Sequence, residues 1–127
     1  MAREAKRAGR LSRSAEFERV YRRGRSVSNR HLVLYSFPSD TRDGVPRLGL
    51  SVSRKVGGAV ERNYVKRLLR ESFAAAECEL GSGHDIVVVA RPEAGELARR
   101  EGLAGVQGAL RQLLERGGLV SAAAQEG

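Results

Sequence analysis

The segment from Ala59 to about Glu77 contains neither glycine nor proline and is rich in Leu, Arg, Glu and Ala, which predicts the main helix of the chain. Strand-like patterns bracket it. Before it, Leu48, Leu50 and Val52 alternate with Gly49, Ser51 and Ser53, giving a strand with one bulky face and one small face. After it, the turn Gly81-Ser82-Gly83 leads into Ile86-Val87-Val88-Val89-Ala90, an unbroken apolar run of strand length that ends at Arg91-Pro92. Such a run fits a central strand buried on both faces. A chain of 127 residues with 41% hydrophobic content can build one core around these elements and is too short for two ordinary domains.

Further elements complete an α+β reading with the order α-β-β-α-β-α. Ser14 can cap a short helix at about 15–23, in which Phe17, Val20 and Tyr21 recur at helical spacing before Gly24. From Val27 to Phe37 a strand is expected, with His31, Val33, Tyr35 and Phe37 on one face and Leu32 and Leu34 on the other. Pro38 to Pro46, which contains Asp43-Gly44, reads as a turn. Leu103, Val106, Leu110, Leu113 and Leu114 predict a last helix before Gly117-Gly118. Residues 1–10 read as a basic flexible arm, 11–119 as the folded domain and 120–127 as a disordered tail.

Charge is segregated along the chain. Residues 1–76 carry 18 basic and 7 acidic side chains, net +11, whereas residues 77–127 carry 5 and 8, net −3. A surplus confined to one part of a chain implies a binding face for a polyanion. Much of it gathers on the main helix. Projected at 100° per residue, Arg62, Asn63, Lys66, Arg67 and Arg70 share an arc of about 140°, with Val65, Leu68, Leu69, Ser72 and Phe73 opposite. Like charges at i, i+4 repel and weaken an isolated helix, an objection that an anionic partner removes. The plain alternative is a solvated face.

A second constellation is aromatic: Phe17 and Tyr21 on the first helix and Tyr35 on the first strand, near the small face of Gly49, Ser51 and Ser53. Rings beside a shallow surface can stack single-stranded bases without reading their sequence. Spacing alone equally allows an ordinary core.

The segment Arg62-Asn63-Tyr64-Val65-Lys66-Arg67-Leu68-Leu69-Arg70 resembles the R-N-x-x-K-R-x-x-R signature of the bacterial ribonuclease P protein family. Phe17-Glu18-Arg19-Val20-Tyr21 with Gly24 resembles that family's first helix. Leu48 to Ser53 with Lys55 resembles its second strand, and Ile86 to Pro92 its third. Together these cover about residues 11–116. The resemblance implies a left-handed β-α-β crossover, contrary to the usual right-handed rule. It also implies a protein that binds the catalytic RNA subunit and the single-stranded 5′ leader of precursor tRNA, with no active site of its own and Mg²⁺ held mainly by the RNA. On that basis Arg62, Asn63, Lys66, Arg67 and Arg70 are expected to meet the RNA subunit. Phe17, Tyr21, Tyr35, Ser51, Lys55 and Arg91 are expected to line a leader cleft. Tyr64 departs from the family, which often has a basic residue there. Packing at the rim of the basic arc is the alternative to a phosphate contact at 64.

Other functions find less support. Cys78 is the only cysteine, so no intramolecular disulfide can form and a Cys-based zinc site would lack ligands; a buried thiol is expected. Gly57-Gly58 lacks the spacing of a phosphate loop and reads as a helix-entry turn. No nucleophile, carboxylate pair or metal cluster stands out, which argues against a protein-centred nuclease and predicts no catalytic or metal-binding residue. No apolar run reaches the roughly 20 residues of a membrane span, so a soluble cytoplasmic protein with no membrane partner is expected. A ribosomal or ribosome-assembly protein is the main rival. A DNA-binding helix-turn-helix is weaker, because no short helix precedes the basic one across a tight turn.

Overall fold

The computed structural model describes residues 9–10, 24–38, 46–80 and 84–120. The helix expected at about 15–23, with Phe17 and Tyr21, lies outside them, as do the Asp43-Gly44 turn and the Cys78 side chain. The elements are β1 (Gly9–Arg10), β2 (Arg25–Ser28), β3 (Leu32–Pro38), β4 (Arg47–Val52), α1 (Ala59–Ala76), a 3-10 turn (Glu77–Glu79), β5 (His84–Ala90) and α2 (Glu93–Arg116). The sheet order is β1-β4-β5-β3-β2. β4 and β5 are parallel neighbours, so α1 is the crossover between them, while β3 pairs antiparallel with β5 and β2 with β3.

This is the α+β domain expected, with a small mixed sheet and its main helix in the expected place. β5 lies at the centre, and Ile86, Val87 and Val88 have no solvent exposure. The main core forms on one face of the sheet, where Leu34, Leu48, Ile86 and Val88 meet Val65, Leu69 and Phe73 of α1 and Val106, Leu110 and Leu114 of α2. On the other face Val87 packs with Tyr35, Phe37 and Val89. Ser72 sits on the buried side of α1 because its hydroxyl donates to the Leu68 carbonyl one turn back, 2.8 Å away.

The single strand expected over Val27–Phe37 is in fact a hairpin, β2 and β3. Its break is made by Asn29. The Asn29 side-chain oxygen accepts from the backbone N–H groups of His31 (3.0 Å) and Leu32 (2.9 Å), closing a turn without glycine or proline. Its side-chain nitrogen donates to the Ala109 carbonyl and to Gln112, tying the turn to α2. His31 therefore belongs to the turn rather than to the strand face expected for it.

The chain ends of the domain also differ from expectation. Gly9 and Arg10, placed in the arm by composition, pair in parallel with Arg47 and Leu48. Val120, placed in the tail, is buried with Leu119, and the N–H groups of both donate to the Leu114 carbonyl beyond the end of α2.

α2 begins at Glu93, ten residues before its expected apolar stripe, and kinks at Gly102, where φ is 62° and ψ −147°. Leu103, expected to open that stripe, is 38% exposed because it stands in the first turn after the kink. Glycine is required at 102 because side chains rarely adopt this backbone conformation. Gly57 has a positive φ, 158°, and a steric reason as well: a Cβ there would lie 2.7 Å from Glu61 Oε1 and 2.9 Å from Glu61 Cβ. That carboxylate accepts the Gly58 N–H at 2.6 Å and so caps the start of α1.

Beyond α1, the chain is clasped to α2 by Arg111, which donates to both Glu79 carboxylate oxygens and also pairs with Glu115 at 3.3 Å. The hydrogen bonds from Arg111 hold the Glu79 carboxyl below the usual carboxylate range.

Two outcomes follow for stability. Gly102→Ala forces alanine into the glycine conformation and is expected to cost about 1–3 kcal/mol in urea unfolding. Because the folded-state pKa of Glu79 is lowered, its contribution is present above the ordinary glutamate pKa and is lost as pH falls through the lowered folded value. Glu79→Gln should accordingly be less stable than wild type at neutral pH, with the gap closing on acidification, as urea midpoints across that range would show.

Candidate nucleic-acid interface

α1 presents its basic arc because its apolar residues take the opposite side: Val65, Leu68, Leu69 and Phe73 are buried against the sheet and α2. Asn63, Arg67 and Arg70 are exposed, and Arg62 and Lys66 are half-buried. All five expected positions therefore lie on one continuous helix face. Among the described residues, Arg62, Lys66 and Arg67 have no ion-pair partner. The Arg62 Nε–H is shielded from solvent and has no acceptor, a cost that a shift of the side chain towards an external anion would relieve.

Tyr64 is half-buried and packs against the core, as the rim alternative anticipated. The Arg67 guanidinium carbon stands 5.5 Å from the centre of its ring, within the range of a cation–π contact.

The expected leader residues map to the sheet face away from the main core. Tyr35 stands in one cross-strand row with Val87 and Gly49; Ser51 stands in the next row with Val89 and Val33. Both side chains are half-buried. Since β4 and β5 run parallel, Lys55 and Arg91 leave the sheet at the same end, and both are exposed. Arg91 is placed by the hairpin turn: its backbone N–H donates to the His31 carbonyl at 2.9 Å and its guanidinium to the Asn29 carbonyl at 3.3 Å. The first turn of α1, with Arg62, starts at this end as well.

Thus Tyr35 and Ser51 share the sheet face away from the main core, Lys55 and Arg91 leave the sheet together at one end, and the five α1 residues form another surface that adjoins that end. Phe17 and Tyr21 lie outside the described residues. Sequence reasoning missed two contributors. Arg54 is exposed beside Lys55, in a loop whose chain path periodicity does not define. Asn29 anchors Arg91, and its signal was the turn propensity of Asn before an alternating run.

Chemically, the two surfaces offer cations, amides and a partly exposed ring, which are groups for holding phosphates and bases. The described residues contain no group of three or more His, Cys, Asp or Glu side chains able to hold a metal ion. No helix among them is long and apolar enough to cross a membrane.

Comparison with known proteins identifies the family. The family model described as Ribonuclease P matches residues 5–116. The ribonuclease P protein component of Clostridium acetobutylicum is 49% identical over 82 residues, covering 65% of this chain and 69% of that protein. That of Clostridium novyi is 41% identical over 110 residues, covering 87% and 94%. Among solved structures, the RNase P protein of Staphylococcus aureus superposes with a TM-score of 0.76 at 34% identity, covering 88% of this chain and 97% of that one. The protein from Thermotoga maritima gives 0.75 at 33% identity, covering 84% and 96%. The chain belongs to the bacterial ribonuclease P protein family.

Proposed function

We propose that this chain acts in the cytoplasm as the protein subunit of ribonuclease P, assisting removal of the 5′ leader from precursor tRNA. The observation that carries this reading is the α1 face of Arg62, Asn63, Lys66, Arg67 and Arg70, three of whose cations lack an acidic partner among the described residues, on a chain of this family. These residues would hold phosphates of the RNA subunit. Tyr35, Ser51, Lys55 and Arg91, with Phe17 and Tyr21, would hold the leader. Hydrolysis itself would belong to the RNA subunit with its bound Mg²⁺, and the protein's part is to bind, orient and screen charge. Family membership does not favour the ribosomal alternative.

Screening two polyanions from each other lowers the demand for counterions. Adding the protein to the RNA subunit is therefore expected to permit precursor-tRNA cleavage at Mg²⁺ concentrations where the RNA alone is slow. Protein-only cleavage at the correct 5′ site, free of contaminating RNA, would overturn the reading.

Two substitutions probe the surfaces separately. Arg62→Ala or Arg67→Ala should weaken binding to the RNA subunit and reduce its log–log salt slope by roughly 0.7–0.9 per lost phosphate contact, with little change in thermal stability. Tyr35→Ala should cost about 1–3 kcal/mol in holoenzyme affinity for precursor tRNA and leave mature tRNA nearly unaffected. Binding isotherms for precursors with leaders of increasing length, paired with thermal unfolding, distinguish this from a general loss of fold.

A further inference from the structure

The side chains of Tyr64 and Arg67 are three residues apart, on the same side of α1, and a helical side chain leans back over the preceding turn. Arg67 accordingly lies over the Tyr64 ring, at 5.5 Å. Tyr64 is itself fixed. Its ring packs against the main core, and its hydroxyl sits 3.8 Å from where a Cβ would stand on Gly102, the kink of α2. The ring is thus part of the packed interface between the two helices, while the guanidinium above it is exposed.

A cation–π contact uses no acceptor, so it leaves the N–H edges of the guanidinium open to phosphate oxygens. An acidic partner would instead consume those edges. Arg67 has none among the described residues, and its neighbours Lys66 and Arg70 are cations that repel it. A long side chain in that setting would lose much rotamer freedom on binding unless something had already placed it.

We infer that Tyr64 is a positioning residue for RNA binding: its ring holds the Arg67 guanidinium ready, edges outward, for a phosphate of the RNA subunit. The inference rests on the proposed role of the α1 face. It assigns Tyr64 an indirect part in recognition, through its neighbour rather than through a phosphate contact of its own.

The test is a double-mutant cycle on binding to the RNA subunit across a salt series, with thermal unfolding of each variant. Tyr64→Leu keeps apolar bulk and removes the aromatic face; it is expected to weaken binding about two- to five-fold, the range of an exposed cation–π contact. Its salt slope should match wild type, since the phosphate contact itself remains. Tyr64→Phe should bind as wild type. In an Arg67→Ala background, Tyr64→Leu should have no further effect. A series of progressively fluorinated phenylalanines at position 64 keeps shape and packing while weakening the ring's attraction for cations, so affinity should fall stepwise with fluorine number. That series decides the matter even if Tyr64→Leu fails to fold. If Arg67→Ala weakens binding but the Tyr64→Leu penalty persists undiminished beside it, or fluorination changes nothing, Tyr64 is only structural and the inference fails while the α1 reading stands. If Arg67→Ala leaves affinity and salt slope unchanged, the part of that reading that rests on Arg67 fails, and the inference with it.

Discussion

Burial of β5 on both faces is the constraint on which the rest of the molecule depends. Its helix-side residues Ile86 and Val88 meet α1 and α2, and Val87 on the reverse packs with Tyr35 and Phe37, so the middle of the strand is shielded on both faces. Both of its edges are also occupied, by β4 in parallel and β3 antiparallel. Parallel pairing requires a connection that returns to the starting end of the sheet, which obliges the chain to lay α1 across the core. Once α1 is held there by its apolar side, its cations have nowhere to point but outwards.

The same geometry explains why the two surfaces proposed to hold nucleic acid adjoin. The loop from β4 into α1 carries Lys55, the residue after β5 is Arg91, and parallel strands end at the same side of the sheet. A basic helix and a shallow sheet face, which differ in what they can hold, therefore meet at one rim. Phosphates suit the first and stacked bases the second.

Elements built on a repeating pattern were legible in the sequence: α1 from its uninterrupted helical composition, β4 from alternation and β5 from its apolar run. The five-residue basic arc was legible for the same reason, since it is a matter of phase on one helix. What escaped was set by contacts between distant segments or by single residues. The break at Asn29 rests on one side chain, whose oxygen closes the turn on His31 and Leu32 and whose nitrogen ties it to α2, 80 and 83 residues away. The first part of α2 buries Ala94, Gly95, Leu97 and Ala98, of which only Leu97 is large, so no hydrophobic stripe stands out. The phase of its second part was reset at Gly102, and Leu103 fell outside the core as a result. The link between Tyr64 and Arg67 needed the packing of two helices to become visible.

Strands made of interchangeable valines carry little information about how they should align, because a slip of two residues keeps every side chain on its original face. β5 is such a strand. At its start, however, Asp85 has no exposure and receives a two-pronged contact from Arg47 of β4, at 2.9 and 2.8 Å, directly opposite it in the ladder. Sliding β4 along β5 by two residues would carry the guanidinium about 6–7 Å along the strand axis and leave the buried Asp85 carboxylate without that charged contact. Apolar contacts make the sheet adhere, and this pair tells it where to stop, which fixes how far Lys55 and Arg91 project beyond the last rung.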